Sequence, residues 1–321
     1  MHRVRSPEVG SISGVNRPLK NTLLKHDWFN LKQSCFRAAR GLPLLCVLAI
    51  VLVVWFAGAL WMNWDQAQSL ADEDAKWPDI FWAALSLDRP LLPTPDQVAG
   101  EMIRGVFGYP ILSPRSLLFH AGVTAWAAGA GFAIAVVAGM LLAIGIVHVR
   151  TLDRALMPWL IASQAVPVLA IAPMVVVVLG NIGVTGVLPK ALIAGWLSFF
   201  PITTGMVKGL LSSDPMQRDL MRTYSATERQ VFAKLRWPAS VAFLFPAMKV
   251  AAPLALVGAI VAELPTGAQS GLGARLLTGS YYGQTPQIWA ALFMAAMLAM
   301  LAIVVVDVAQ LLVVRARGGR L

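Results

Sequence analysis

Apolar positions in this chain gather into six runs of membrane-crossing length, and the polar residues take their meaning from where they fall between them. The runs lie at about Pro43 to Met62, Leu117 to Val147, Ala155 to Gly180, Gly186 to Met206, Val241 to Leu264 and Gln287 to Val314. Each reaches the roughly 20 residues that ~30 Å of hydrocarbon demands of a helix. The pattern predicts an all-α integral membrane protein with six transmembrane helices. It divides into a segment 1–42, a first helix 43–62, a loop 63–116, a five-helix block 117–314 and a tail 315–321.

Shorter patterns between the runs predict surface helices. In "TPDQVAGEMIRGVF", Pro95 follows Thr94, and Val98, Met102, Val106 and Phe107 recur at helical spacing. Such an amphipathic helix can brace the bundle at the interface or serve as a docking surface for an external protein. In "SSDPMQRDLMRTY", Asp214 is placed to cap a helix that opens on Pro215, where a missing N–H costs nothing. Met216, Leu220, Met221 and Tyr224 fall on one broad side of it. Ser225 and Glu228 then spell a capping box for a second short helix, with Val231, Phe232 and Leu235 on one face and Pro238 as its stop. Two capped helices meeting at a bend are expected across 213–240.

Within the second run, Gly131, Ala135, Gly139 and Ala143 form a stripe of small residues that lets another helix approach closely. Pro158, Pro167 and Pro173 in the third run, with Pro189 and Pro201 in the fourth, fit either a bent cavity wall or a static bundle.

Charge supplies an orientation. The net charge is +10, but the basic residues sit between apolar runs, which points away from nucleic acid and toward topology. The first 42 residues carry eight Lys or Arg: Arg3, Arg5, Arg17, Lys20, Lys25, Lys32, Arg37 and Arg40. The next connection has four bases against eight acids, and basic residues return after the second and fourth runs and in the tail. Alternation of this kind places both termini in the cytoplasm. Some forty residues precede the first run, so it reads as a retained signal-anchor and not a cleaved leader. Two cysteines, Cys35 and Cys46, are too few for a disulfide framework.

The frame "DLMRTYSATERQVFAKLRWP" resembles the cytoplasmic signature of the integral-membrane subunits of binding-protein-dependent bacterial ABC importers. That signature runs Glu-Ala-Ala, three residues, Gly, about nine residues, then apolar-any-apolar-Pro. Asp219, Leu220 and Met221 stand for the triplet, Ser225 for the glycine, and Leu235, Trp237 and Pro238 close the frame. The resemblance extends from about Leu118 to Arg317 and is nearest to the nitrate, sulfonate and taurine class, through "VFAKLRWPAS", "AMKVAAPLALVGAIVAEL" and "SGLG" at Ser270 to Gly273.

The resemblance implies a type I importer transmembrane domain over 117–314, in a bacterial inner membrane. Its partners would be a cytoplasmic ATPase in two copies, a second permease subunit, identical or different, and a periplasmic solute-binding protein. No G-x-x-x-x-G-K-[ST] loop occurs, so ATP and Mg would belong to the ATPase and none would bind this chain. The coupling residues it implies are Met216, Asp219, Met221, Arg222, Tyr224, Ser225, Glu228, Arg229, Phe232, Lys234 and Pro238. Path-lining candidates are the uncharged polar residues of the third and fourth runs, Ser163, Gln164, Ser198, Thr203 and Thr204, for which helix-packing hydrogen bonds are the alternative role. Lys249 and Asp307 are placed to form an intramembrane ion pair, or Lys249 snorkels alone. No catalytic or metal-ligating set is expected. An ion-coupled carrier would need ionisable groups at mid-depth, which runs one to four lack; a non-transporting membrane scaffold would not need the prolines.

Overall fold

The computed structural model describes residues 21–71, 76–264 and 270–318. The basic stretch 1–20 and Arg320 of the tail, on which part of the orientation rests, lie outside the described residues. Among the described residues the chain is helical throughout, with no strand. It forms two units, residues 1–57 and 58–321.

Helix α1 runs Asn21–Leu70, with Pro43 inside it. It outlasts the expected end at Met62 because its next residue is tied into the loop that follows. The buried Asn63 side chain donates to the carbonyls of Ala84 (3.2 Å) and Leu92 (2.9 Å) and accepts from the amides of Leu91 and Leu92. One amide side chain thus satisfies four backbone groups that a loop would otherwise leave to water.

That loop holds α2 (Trp77–Ser86) and α3 (Pro95–Phe107). α3 starts as its sequence predicts, with Pro95 at the first position and Gln97 Oε1 accepting from the Thr94 amide at 3.1 Å. Val98 is buried, while Met102 and Val106 pack against a cluster of Leu117, Leu272 and Ala291. α3 therefore braces the bundle, while Ile103 and Phe107 stay exposed.

Four long helices follow, α4 (Leu117–His148), α7 (Val187–Leu211), α10 (Trp237–Glu263) and α12 (Thr285–Ala316), with α10 running opposite to the other three. The small-residue stripe of α4 is buried against α7, where a side chain on Gly131 would run into Ala191 and Ala194. Gly195 answers from α7 across the Gly131 backbone, and Gly258 of α10 lies against Ala194 on the same helix. Backbones in such close approach gain dispersion contacts that lipid cannot match.

Between α4 and α7 the third run departs from expectation. It is not one span but two helices, α5 (Arg150–Ala162) and α6 (Val168–Asn181), joined by a 3₁₀ turn at Ser163–Ala165 and bent by 100°. Pro167 has no N–H for the Ser163 carbonyl and holds Val166 extended, so the helix cannot continue. The described residues therefore hold five apolar helices of crossing length, plus this bent pair as a sixth.

Two shorter helices mark the two ends of the bundle. α8 (Pro215–Thr223) lies between α7 and α10, and α11 (Leu272–Tyr281) lies at the opposite end of the bundle, before α12. We refer to these as the elbow end and the far end.

Candidate functional site

At the elbow end, Asp214 accepts a hydrogen bond from the Met216 amide at 2.9 Å, and Pro215 opens α8 as the sequence predicts. The helix closes with two reverse bonds, Ser225 N–H to Arg222 O at 2.9 Å and Ala226 N–H to Met221 O at 3.0 Å. This is a Schellman motif, and it requires the residue at Ser225 to take the left-handed conformation. Ser225 does so, at φ 52°; among the described residues it is the only non-glycine with positive φ. The serine thus occupies the conformation usually given to glycine.

It does not cap the next helix. That cap is Thr227, two residues later: Gln230 N–H donates to Thr227 Oγ1 at 3.4 Å, and Thr227 N–H donates to Gln230 Oε1 at 2.9 Å. A residue locked at positive φ cannot also take the extended conformation of an N-cap, so the Ser225–Glu228 box is excluded and Glu228 points to solvent.

The second helix, α9 (Glu228–Val231), does not stop at Pro238 either. It passes through a π-turn at Phe232–Arg236 directly into α10. The π-turn bonds Trp237 N–H to Phe232 O, and this one-residue widening removes the clash between the Pro238 ring and the preceding carbonyl.

Of the apolar residues here, Met216 (79 % exposed), Leu220 (56 %) and Tyr224 (77 %) form one bare stripe along α8. Phe232 points the other way. Its ring meets His148 at 5.1 Å and Trp237 at 6.1 Å, within the cluster of Ile146, Leu160, Met206 and Leu210. Met221 is half-buried. Arg222 and Asp219 pair at 3.4 Å in solvent, and Arg229 and Lys234 are exposed.

The path candidates separate. Ser198 and Thr203 are fully buried and bond back to their own helix, at Ala194 O (2.6 Å) and Phe199 O (2.8 Å); Thr204 bonds Phe200 O at 3.0 Å. Their polar groups are satisfied within the helix they belong to. Ser163 and Gln164 instead lie in the break between α5 and α6, and Gln164 is exposed. Lys249 Nζ lies 2.5 Å from Asp307 Oδ1, joining α10 to α12 as an ion pair.

The most connected polar site is at the far end. Glu263 is fully buried, yet its carboxylate accepts from Thr124 Oγ1 (2.9 Å), the Gly273 amide (3.0 Å) and Lys190 Nζ (3.3 Å). Thr124 Oγ1 in turn accepts from the Leu272 amide at 2.8 Å, and Lys190 donates to Ser270 O at 3.3 Å. The Gly271 amide donates to His120 Nδ1 at 3.0 Å, which leaves the ring proton on Nε2 for Pro114 O at 2.8 Å. Gly271 has φ 120° and its missing side chain is where the Glu263 carboxylate sits. The "SGLG" sequence is thus a cradle for one buried acid. A sequence reading places Glu263, Lys190 and His120 only at helix ends; the signal that joins them is an acid closing an apolar run eight and ten residues before the glycines Gly271 and Gly273.

Residues 135–318 match the model of the family described as "Binding-protein-dependent transport system inner membrane component". The chain belongs to this family. Similar proteins include the formylaminopyrimidine transport permease protein of Halalkalibacterium halodurans, 32 % identical over 69 % of this chain and 85 % of that one. The riboflavin transport system permease protein of Chloroflexus aurantiacus is 31 % identical over 70 % and 80 %. The putative aliphatic sulfonates transport permease protein of Bacillus subtilis is 25 % identical over 56 % and 63 %. The chain is the multi-pass membrane permease subunit of an ABC importer, working with an ATPase and a binding protein; it is not itself an enzyme, and hydrolysis belongs to the separate ATPase.

Proposed function

We propose that α8 is the surface through which the ATPase drives this permease. The observation that carries the reading is the bare stripe of Met216, Leu220 and Tyr224 on a helix fixed at both ends, by Asp214 and by the Schellman turn. Apolar anchors of this size on a rigid support are what an interface groove needs, with Arg222, Arg229 and Lys234 as rim charges that steer approach. Asp219 fixes Arg222, Ser225 and Pro238 shape the elbow, and Glu228 adds a rim acid. Phe232 holds the elbow to the bundle and does not touch the partner.

In this reading the elbow end and both termini face the cytoplasm of a bacterial cell, and the far end faces the periplasm. Two permease subunits and two ATPases form the importer, with ATP and Mg held by the ATPases alone. The solute is a flat nitrogen heterocycle; the names of the two relatives with the fuller coverage, formylaminopyrimidine and riboflavin transport permeases, support that class over aliphatic sulfonates.

The test is the double variant Met216→Asp and Tyr224→Asp in the assembled importer. Loss of two anchors is expected to weaken ATPase retention by at least about 30-fold, with membrane insertion unchanged. Full co-purification of the ATPase and normal uptake would sink the docking assignment.

A further inference from the structure

The broken third run has a consequence for where solute sits. Backbone that leaves the helix at membrane depth is tolerated only against protein or a water-filled cavity, because lipid offers no hydrogen bonds. At the 100° bend, the Ser163 carbonyl has lost the N–H that a continuous helix would supply at position 167, and the Gln164 side chain is exposed. A face of this kind cannot lie against acyl chains. Paired short segments interrupted by proline are also the arrangement that places solute sites near the bilayer midplane.

Two cavities flank the bend, and a single side chain belongs to both. One, about 260 Å3, lies between α6 and α7 and is lined by Ile171, Val175, Leu192 and Trp196. The other, about 350 Å3, lies at the break and is lined by Trp159, Ser163, Val166, Trp196 and Phe199. Trp196 is 47 % exposed, and Phe199 props it in a tilted contact at 5.8 Å. It stands nine residues into α7, ~14 Å from the start of that helix at 1.5 Å per residue. Ser163 spends its proton on Leu160 O at 2.7 Å, so its lone pairs are left to accept from a ligand N–H.

We propose that Trp196 is the stacking platform of a solute site at the bend between α5 and α6, taking a planar nitrogen heterocycle whose N–H groups meet Ser163 Oγ. The chemistry points to that class: an indole face on apolar walls favours a flat π-system, and the acceptors at the break suit ring or exocyclic N–H donors. A sulfonate would find no cation there, since neither cavity has a charged lining residue. The inference rests on the solute class proposed above.

The experiment uses the complete importer in proteoliposomes, with riboflavin, a formylaminopyrimidine and taurine as probes. Trp196→Ala should raise KM for the planar probe that wild type carries by about tenfold, and Trp196→Phe by far less. A structural role alone would not give rescue by phenylalanine confined to KM. If wild type carries taurine and neither heterocycle, the solute class falls and the stacking role with it. If it carries a heterocycle and Trp196→Ala leaves KM unchanged, the site alone falls. Should Trp196→Ala fail to assemble, Ser163→Cys in a chain lacking Cys35 and Cys46 decides the matter: the carried heterocycle should slow maleimide labelling at position 163, and unchanged labelling overturns the assignment.

Discussion

Replacing Ser225 by glycine isolates the strain in the elbow. The left-handed conformation at φ 52° costs an L-residue about 1–2 kcal/mol, and glycine escapes it. Glycine also gives the unfolded chain more freedom, which takes back about 0.4–1 kcal/mol. The balance is a gain of about 0.5–1 kcal/mol for Ser225→Gly, a two- to fivefold shift in the local opening equilibrium. Valine tests the opposite sign, because a β-branched residue at positive φ is more strained than serine. The assay is amide hydrogen exchange over residues 215–237 in the purified permease, where the bonds Ser225 N–H to Arg222 O and Ala226 N–H to Met221 O report the turn. Exchange should slow two- to fivefold in the glycine variant and quicken in the valine variant. Identical exchange in all three proteins would refute the strained-turn account.

Two other perturbations address the inter-helix ion pairs. Glu263→Gln leaves Lys190 facing a neutral partner inside the bundle and should destabilise the permease by about 3 kcal/mol, read as a lower unfolding temperature in detergent; adding Lys190→Met should recover part of that loss. For the α10–α12 pair, Lys249→Asp and Asp307→Lys should each depress membrane expression, and the exchanged double variant should restore it; equal loss in the double variant would show that the pair is not the relevant contact.

Hydropathy alone made most of the fold legible, because a crossing helix must be apolar over a fixed length whatever surrounds it. The small-residue stripe of α4 likewise announced close packing without naming α7. Two kinds of feature stayed hidden. Proline count in the third run could not separate a kink from a break, since that turns on whether Pro167 meets a carbonyl which can be satisfied elsewhere. Polar partners from distant segments were also invisible: Thr124 lies 139 positions from Glu263 and Lys190 lies 73, and each reads as an ordinary terminal residue. At the elbow, pattern reading found both helices and the first cap but set the second cap at Ser225, because a capping box can be spelled by residues that the backbone then uses for something else. The family resemblance put Phe232 among the coupling residues, although helical spacing does not say which side the bundle occupies.

The continuity of α9, the π-turn and α10 has a geometric outcome. Residues Glu228–Glu263 make one 36-residue shaft, some ~54 Å long at 1.5 Å per residue. If such a shaft pivots by about 5° at its Glu228 end, its Glu263 tip moves by ~5 Å, more than the length of any hydrogen bond holding Glu263. Under the docking proposed for α8, a small swing at the elbow end is therefore enough to draw the carboxylate out of its glycine cradle at the far end of the bundle.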